Sequence, residues 1–261
     1  MELQGPRTAI VTGGARRIGA ELVRAMAADG WHVLIHCNRS LGEAEALAAE
    51  VGGASVVAAE LGDPAAARTI MAALDGLPPP RLLVNNASRF VYDSATDFSV
   101  ADWDSSMDVN LRAPALLSKA FAARVGEGSG LIVNLLDSKL AAPNPDYFSY
   151  TVSKIALAGL TELCARAFAP NIRVCGIAPS VTLVSGPQSR ENFEAVHALN
   201  PLGRGVEVAE IVAALRFIVA TPTLTGQVTT LDGGQRFLSL PRDVQFLSPS
   251  GDGQFLEQAD E

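Results

Sequence analysis

Cysteine and histidine are scarce in this chain, three of each, and their placement excludes more than their number does. Cys37, Cys164 and Cys175 form no CxxC pair, so buried apolar thiols in a reducing compartment are expected, not disulfides or a thiolate metal site. His32, His36 and His197 stand in no HExxH-like spacing, which leaves metal catalysis without support. Positive charge is outnumbered: 20 Lys and Arg face 28 Asp and Glu, a formal net charge of -8. The global field therefore opposes nucleic acid and anionic membranes, and any anionic ligand has to be met by a local basic cluster. An uncharged apolar run long enough to span a bilayer is missing, as is a basic N-terminal region followed by an apolar signal core. A cytoplasmic protein with no membrane or nucleic-acid partner is expected. Internal repeats and a Pro-, Gly- or Ser-rich linker are absent too, so 261 residues with 48% hydrophobic content read as one domain with a sizeable core.

What is present alternates. Short β-rich runs at 8–14, 32–37, 55–60, 81–87, 130–137, 172–179 and 226–234 are separated by alanine-rich stretches with apolar residues at helical spacing. The stretch 101–125 reads as one long helix, and the prolines of LPPPR break a helix before the fourth strand. This alternation predicts an α/β fold, a single-domain Rossmann-type doubly wound parallel sheet of about seven strands flanked by helices. The main domain spans 1–240. The polar, acidic segment 241–261 has no clean period and reads as an extension draped over the body or across a subunit contact, with Phe246 and Phe255 as its apolar anchors.

The local basic cluster is TGGARRIG, from Thr12 to Gly19. A strand running into Gly13, Gly14 and Gly19 and then a helix lets backbone N–H groups and the helix N-terminus receive a pyrophosphate. An acid at the end of the second strand would hold a ribose 2′-hydroxyl and select NAD. The sequence there is HCNRS, which puts Arg39 and Ser40 where a 2′-phosphate would lie and favours NADPH. Further on, Tyr150 and Lys154 in YTVSK share a helix face at i, i+4. A free phenol has a pKa of about 10, and a neighbouring ammonium together with cofactor charge is expected to bring Tyr150 toward neutrality.

These stretches, with NNAS at Asn85–Ser88, Asn110 in VNLRAP and IAPS ending at Ser180, follow in the order of the short-chain dehydrogenase/reductase family, which the chain resembles as far as about Phe237. The resemblance implies that Tyr150 donates or accepts the proton, that Lys154 holds the nicotinamide ribose, and that Asn110 maintains a water path. It implies cofactor contacts from Gly13, Arg16, Arg17, Ile18 and Gly19 in the turn, and from His36, Asn38, Arg39 and Ser40 after the second strand. Glu60 and Leu61 would lie near the adenine, Asn86, Ala87 and Ser88 along the fourth strand's end, and Pro179 and Ser180 beside the nicotinamide. The stretch 183–205 would be a mobile substrate loop.

Two positions depart from the family pattern. The residue 13 before the tyrosine is Asp137 where a serine is usual, and Arg17 replaces the middle glycine of the turn. Both, with Phe90 and the HxxRS form of the second strand, resemble the pteridine reductase branch, which includes dihydromonapterin reductases. That resemblance implies substrate contacts from Arg17, Ser88, Phe90, Asp137 and Tyr150, with Asp137, Tyr150, Lys154 and Asn110 catalytic. A planar pterin suits an aromatic stacking face, and its ring nitrogens suit a carboxyl group that can accept or donate a proton. The expected activity is NADPH-dependent reduction of a 7,8-dihydropterin by a homotetramer. A 3-oxoacyl or xenobiotic carbonyl reductase and a catalytically silent NADPH-binding regulator are the alternatives.

Overall fold

In the computed structural model, residues 5–184 and 188–246 are described. Seven strands, β1 (Thr8–Val11), β2 (His32–Cys37), β3 (Ala54–Ala58), β4 (Pro80–Asn85), β5 (Gly130–Leu135), β6 (Ile172–Pro179) and β7 (Val228–Leu231), form one sheet in the order β3-β2-β1-β4-β5-β6-β7. Every neighbouring pair is parallel, the expected Rossmann-type arrangement. Central strands such as β1 and β5 are buried along their whole length, because helices cover both faces and leave no solvated side to alternate toward.

On one face α1 (Arg17–Ala28), α2 (Leu41–Val51) and α8 (Val208–Ala220) pack through Leu22, Met26, Leu47, Ile211 and Leu215. On the other, α3 (Ala66–Ala72), α5 (Ala113–Val125) and α6 (Phe148–Ala167) pack through Ile70, Leu117, Phe121 and Ala165. The chain reverses its strand order between β1 and β4, which opens a crevice beyond their carboxyl ends. None of the described helices is long and apolar enough to cross a membrane.

Two stretches differ from the sequence expectation. The single helix over 101–125 is divided into α4 (Val100–Met107), a π-helical turn at Asp108–Arg112, and α5. Pro114 has no N–H to give the carbonyl of Asn110, so the ladder loosens there and the turn widens. The region 183–205 contains a helix, α7 (Arg190–His197), whose N-cap Ser189 accepts from Asn192 N. At two turns long, it is too short to stand out as a period.

Candidate active site

At the crevice the chain leaves β1 through Thr12, whose buried hydroxyl accepts from the backbone N–H of both Asn86 and Ala87 at 3.0 Å. Asn86 Nδ2 returns bonds to the carbonyls of Thr12 (2.8 Å) and Gly13 (3.2 Å). This stitching brings the ends of β1 and β4 so close that side chains have no room. A Cβ on Gly13, which has φ +60°, would meet Ala87 at 3.1 Å, and one on Gly19 would lie 2.2 Å from the Gly13 carbonyl oxygen. A tight backbone turn opening directly into a helix N-terminus is a cradle for a pyrophosphate, and a nicotinamide dinucleotide fits it.

Arg17, the residue that begins α1, sits in the left-handed region at φ +54°. That is the conformation for which a glycine is ordinary, and an arginine held there carries a cost of about 1–2 kcal/mol. Its guanidinium crosses the cavity mouth and donates to the Val184 carbonyl at 2.7 Å. Arg16 is exposed and paired with Glu43. His36 is buried and bonds through Nδ1 to the Gly13 N–H at 3.2 Å and through Nε2 to the Ala59 carbonyl at 3.0 Å. Burial lowers its pKa, so it is a neutral ring with Nδ1 as acceptor. It buttresses the turn from below, a contact that the spacing in sequence did not suggest. Asn38 donates to Glu60, and Arg39 stands exposed, in sequence between Asn38 and Ser40, the residue that precedes α2 with no capping bond from its side chain.

The cavity itself, 290 Å³, is lined by Arg17, Ile18, Asn86, Ser88, Phe90, Asp137, Tyr150, Lys154, Pro179 and Ser180 among others. Asp137, just past β5, has its Oδ2 2.7 Å from the Tyr150 hydroxyl, which donates to it. Its other oxygen accepts from the Lys139 N–H at 2.8 Å. Lys154 donates to the Leu135 carbonyl at 2.8 Å and lies against the Tyr150 ring. Asn110, presented by the π-helical turn, uses its whole hydrogen-bonding capacity: Oδ1 accepts from Ser88 Oγ and Arg89 N, and Nδ2 donates to the Arg89 carbonyl and Ser153 Oγ. It therefore locks the segment after β4 to α6, the helix that carries Tyr150 and Lys154. Past the third strand, Glu60 accepts from Asn38 and Leu61 is buried, and neither lines this cavity.

Among the chain's own groups, burial and the adjacent Asp137 push the Tyr150 pKa well above that of a free phenol, so any lowering toward neutrality has to come from the charge of a bound cofactor. Burial likewise pushes Asp137 up, with Lys139 opposing, and pushes Lys154 down to about 8. With the lysine bonded to a backbone carbonyl and the phenol facing a carboxyl, the protein's own groups hold the proton on Tyr150. Tyr150 and Asp137 thus form a coupled donor pair, poised to release a proton when charge develops on a bound acceptor.

Sequence reasoning missed a second group of residues. Tyr147, at φ +54°, stacks on Phe90 with ring centroids 4.0 Å apart, so one face of Phe90 is already covered. The segment that carries Asp243, Val244 and Gln245 lines the cavity of its own chain, and Phe246 meets Tyr92 edge-on. Phe255, the other apolar anchor expected in the tail, lies outside the described residues.

The family model for short chain dehydrogenase matches residues 7–194. This chain is a short-chain dehydrogenase. Among solved structures, FolM alternative dihydrofolate reductase 1 from Brucella canis, complexed with NADP, superposes with a TM-score of 0.85 at 41% identity, covering 89% of this chain and 94% of that one. The chain is also similar to L-xylulose reductase of Mesocricetus auratus, 31% identical over 87% of this chain and 96% of that protein. A 3-oxoacyl-[acyl-carrier-protein] reductase of Synechocystis is 28% identical over the same share of this chain and 96% of its own length. The fold is that of the family, while the relatives' named substrates diverge.

Proposed function

We propose that the protein is an NADPH-dependent pteridine reductase that converts a 7,8-dihydropterin to its tetrahydro form. The observation that carries this reading is the bond between Asp137 and Tyr150, 2.7 Å, where a carbonyl reductase would place a serine. A serine donates to a substrate carbonyl oxygen; a buried carboxyl can take a pterin N–H or, when protonated, give a proton to a ring nitrogen. The similarity to the NADP-complexed Brucella canis FolM alternative dihydrofolate reductase 1 supports it. A cofactor held at the Gly13–Gly19 turn would supply the hydride for the carbon of a C=N bond. The chain's own residues do the rest: Tyr150 and Asp137 deliver the proton to the adjacent nitrogen, Lys154 keeps positive charge beside the phenol, and Phe90, packed on Tyr147 and at right angles to Tyr150, supplies an aromatic wall for the ring. Arg17 and Ser88 flank the substrate, with Pro179 and Ser180 closing the nicotinamide side.

NADPH is expected to bind at least tenfold more tightly than NADH, and Arg39→Ala to erase most of that preference while leaving NADH binding unchanged. Equal affinity of the unaltered protein for the two would refute the role given to Arg39 and Ser40. The substrate class is tested by following NADPH oxidation with a 7,8-dihydropterin, with a 3-oxoester and with no substrate. Turnover of the oxoester alone would make the carbonyl reductase reading the better one. For assembly we propose a homotetramer, supported by Ile155 and Leu163 standing exposed on α6 and Phe217 on α8; light scattering that gave a monomer would refute it.

A further inference from the structure

Two residues past Asp137, Lys139 points into the same cavity and finds a partner from the far end of the chain. Its Nζ lies 2.6 Å from Asp243 Oδ2, each side chain only 12% exposed. The ammonium also donates to Asn144 Oδ1 and the Asp146 carbonyl, both at 3.2 Å. Asp243 is held from both sides: its N–H donates to Asp146 Oδ2 at 2.7 Å, and its Oδ1 accepts from Gln245 N at 3.1 Å. The preceding residue, Arg242, pairs with the same Asp146 at 2.8 Å.

The backbone bond from residue 139 to Asp137 needs no lysine side chain. An ion pair so far withdrawn from water gains little net stability, because lost hydration offsets the attraction. Its place beside the proton-bearing groups therefore calls for a role in the chemistry. We infer that Lys139 and Asp243 are a positioning pair for proton exchange at Asp137 and Tyr150: the lysine presents a cation to the Asp137 carboxyl, and the aspartate of the C-terminal segment sets how much of that charge is felt.

The local electrostatics agree in sign. Burial raises Asp137, the Lys139 cation opposes it, and the Asp243 anion adds to the rise at both Asp137 and Tyr150. The charged and titratable groups facing Asp137 are Lys139 on its own segment, Tyr150 and Lys154 on α6, and Asp243 on the C-terminal segment. Asp146, Arg242, Tyr147 and Tyr92 surround the pair itself.

This role rests on Asp137 being the proton-exchanging carboxyl of the proposed reductase, and two readouts separate the two ideas. The first is an Asp 13Cγ NMR titration of the whole protein, with the Asp137 signal assigned by its loss in Asp137→Asn. The second is the pH profile of kcat/KM for dihydropterin reduction. Asp243→Asn leaves the lysine uncompensated and is expected to move the Asp137 midpoint down by about one pH unit, whereas Lys139→Met is expected to move it up by about as much. The double variant is expected to return toward the unaltered midpoint, and the kinetic limb to follow in the same directions. Lys139→Arg, which keeps the charge, should retain the original midpoint. Midpoints that stay put, or that move the same way in both single variants, would overturn the role, as would a shift in Lys139→Arg equal to that in Lys139→Met. If dihydropterins are not turned over at all, the substrate reading fails while the titration still decides on the pair.

Discussion

Asp137→Ser is expected to lower kcat for a 7,8-dihydropterin by about 10²–10³-fold, within the range that removing a positioned proton-transfer group costs. KM should change little, because the loss falls on a group whose contribution grows as the proton moves. Serine keeps a hydrogen-bonding group near the Tyr150 hydroxyl but cannot hold or pass on a proton at nitrogen. Tyr150→Phe removes the other half of the pair and should cost a similar factor. Since the two side chains share one hydrogen bond of 2.7 Å, the double variant should lose far less than the product of the single losses. Steady-state kinetics on the four proteins measures this. If Asp137→Ser reduced dihydropterins as fast as the unaltered enzyme, the pteridine reading would lose its mechanism.

The second large effect is expected at Gly19. A methyl group there would lie 2.2 Å from the Gly13 carbonyl oxygen and 2.7 Å from Asn86 Nδ2. The first of these is backbone, pinned by Asn86 and by the His36 bond to Gly13, so the overlap cannot be relieved by a rotamer change. Gly19→Ala should therefore displace the turn, weaken NADPH binding at least a hundredfold by titration of cofactor fluorescence, and lower Tm. Gly159→Ala is the control for cofactor affinity: it lies inside α6 with no tertiary neighbour of its own chain within 4 Å of a new Cβ, on the Ile155 and Leu163 face proposed to pack between subunits, and it should leave NADPH affinity unchanged. Cofactor affinity that survived Gly19→Ala would show that the turn does not need its close contact with Gly13.

The alternation of strand and helix, the glycine turn and the interval from Asp137 to Tyr150 were legible because each is local or follows a fixed period. All seven strands stand where apolar β-branched runs predicted them. What was hidden depends on contacts between distant segments or on one backbone angle. Pro114 was visible, but not that its missing N–H would widen the helix into a π-helical turn at Asn110. Phe90 was visible as an aromatic, but its stacking on Tyr147 follows from the left-handed conformation of Tyr147, which no composition rule assigns. The rise at Tyr150 required knowing how deeply the phenol is buried against Asp137. No spacing rule relates Lys139 to Asp243, since a C-terminal segment without a period carries no register.

Arg17 bears on how this protein would respond to engineering. Its left-handed backbone is a conformation that the fold would relax if glycine replaced it, because glycine adopts it without steric cost. A search for heat-resistant variants that scored survival alone would therefore be drawn to glycine at this position. The same search would discard the guanidinium that spans the cavity mouth to Val184. With Arg17 in its proposed place beside the substrate, robustness and ligand recognition are set against each other at a single residue, and an activity screen run beside the heat challenge is expected to keep the arginine in place.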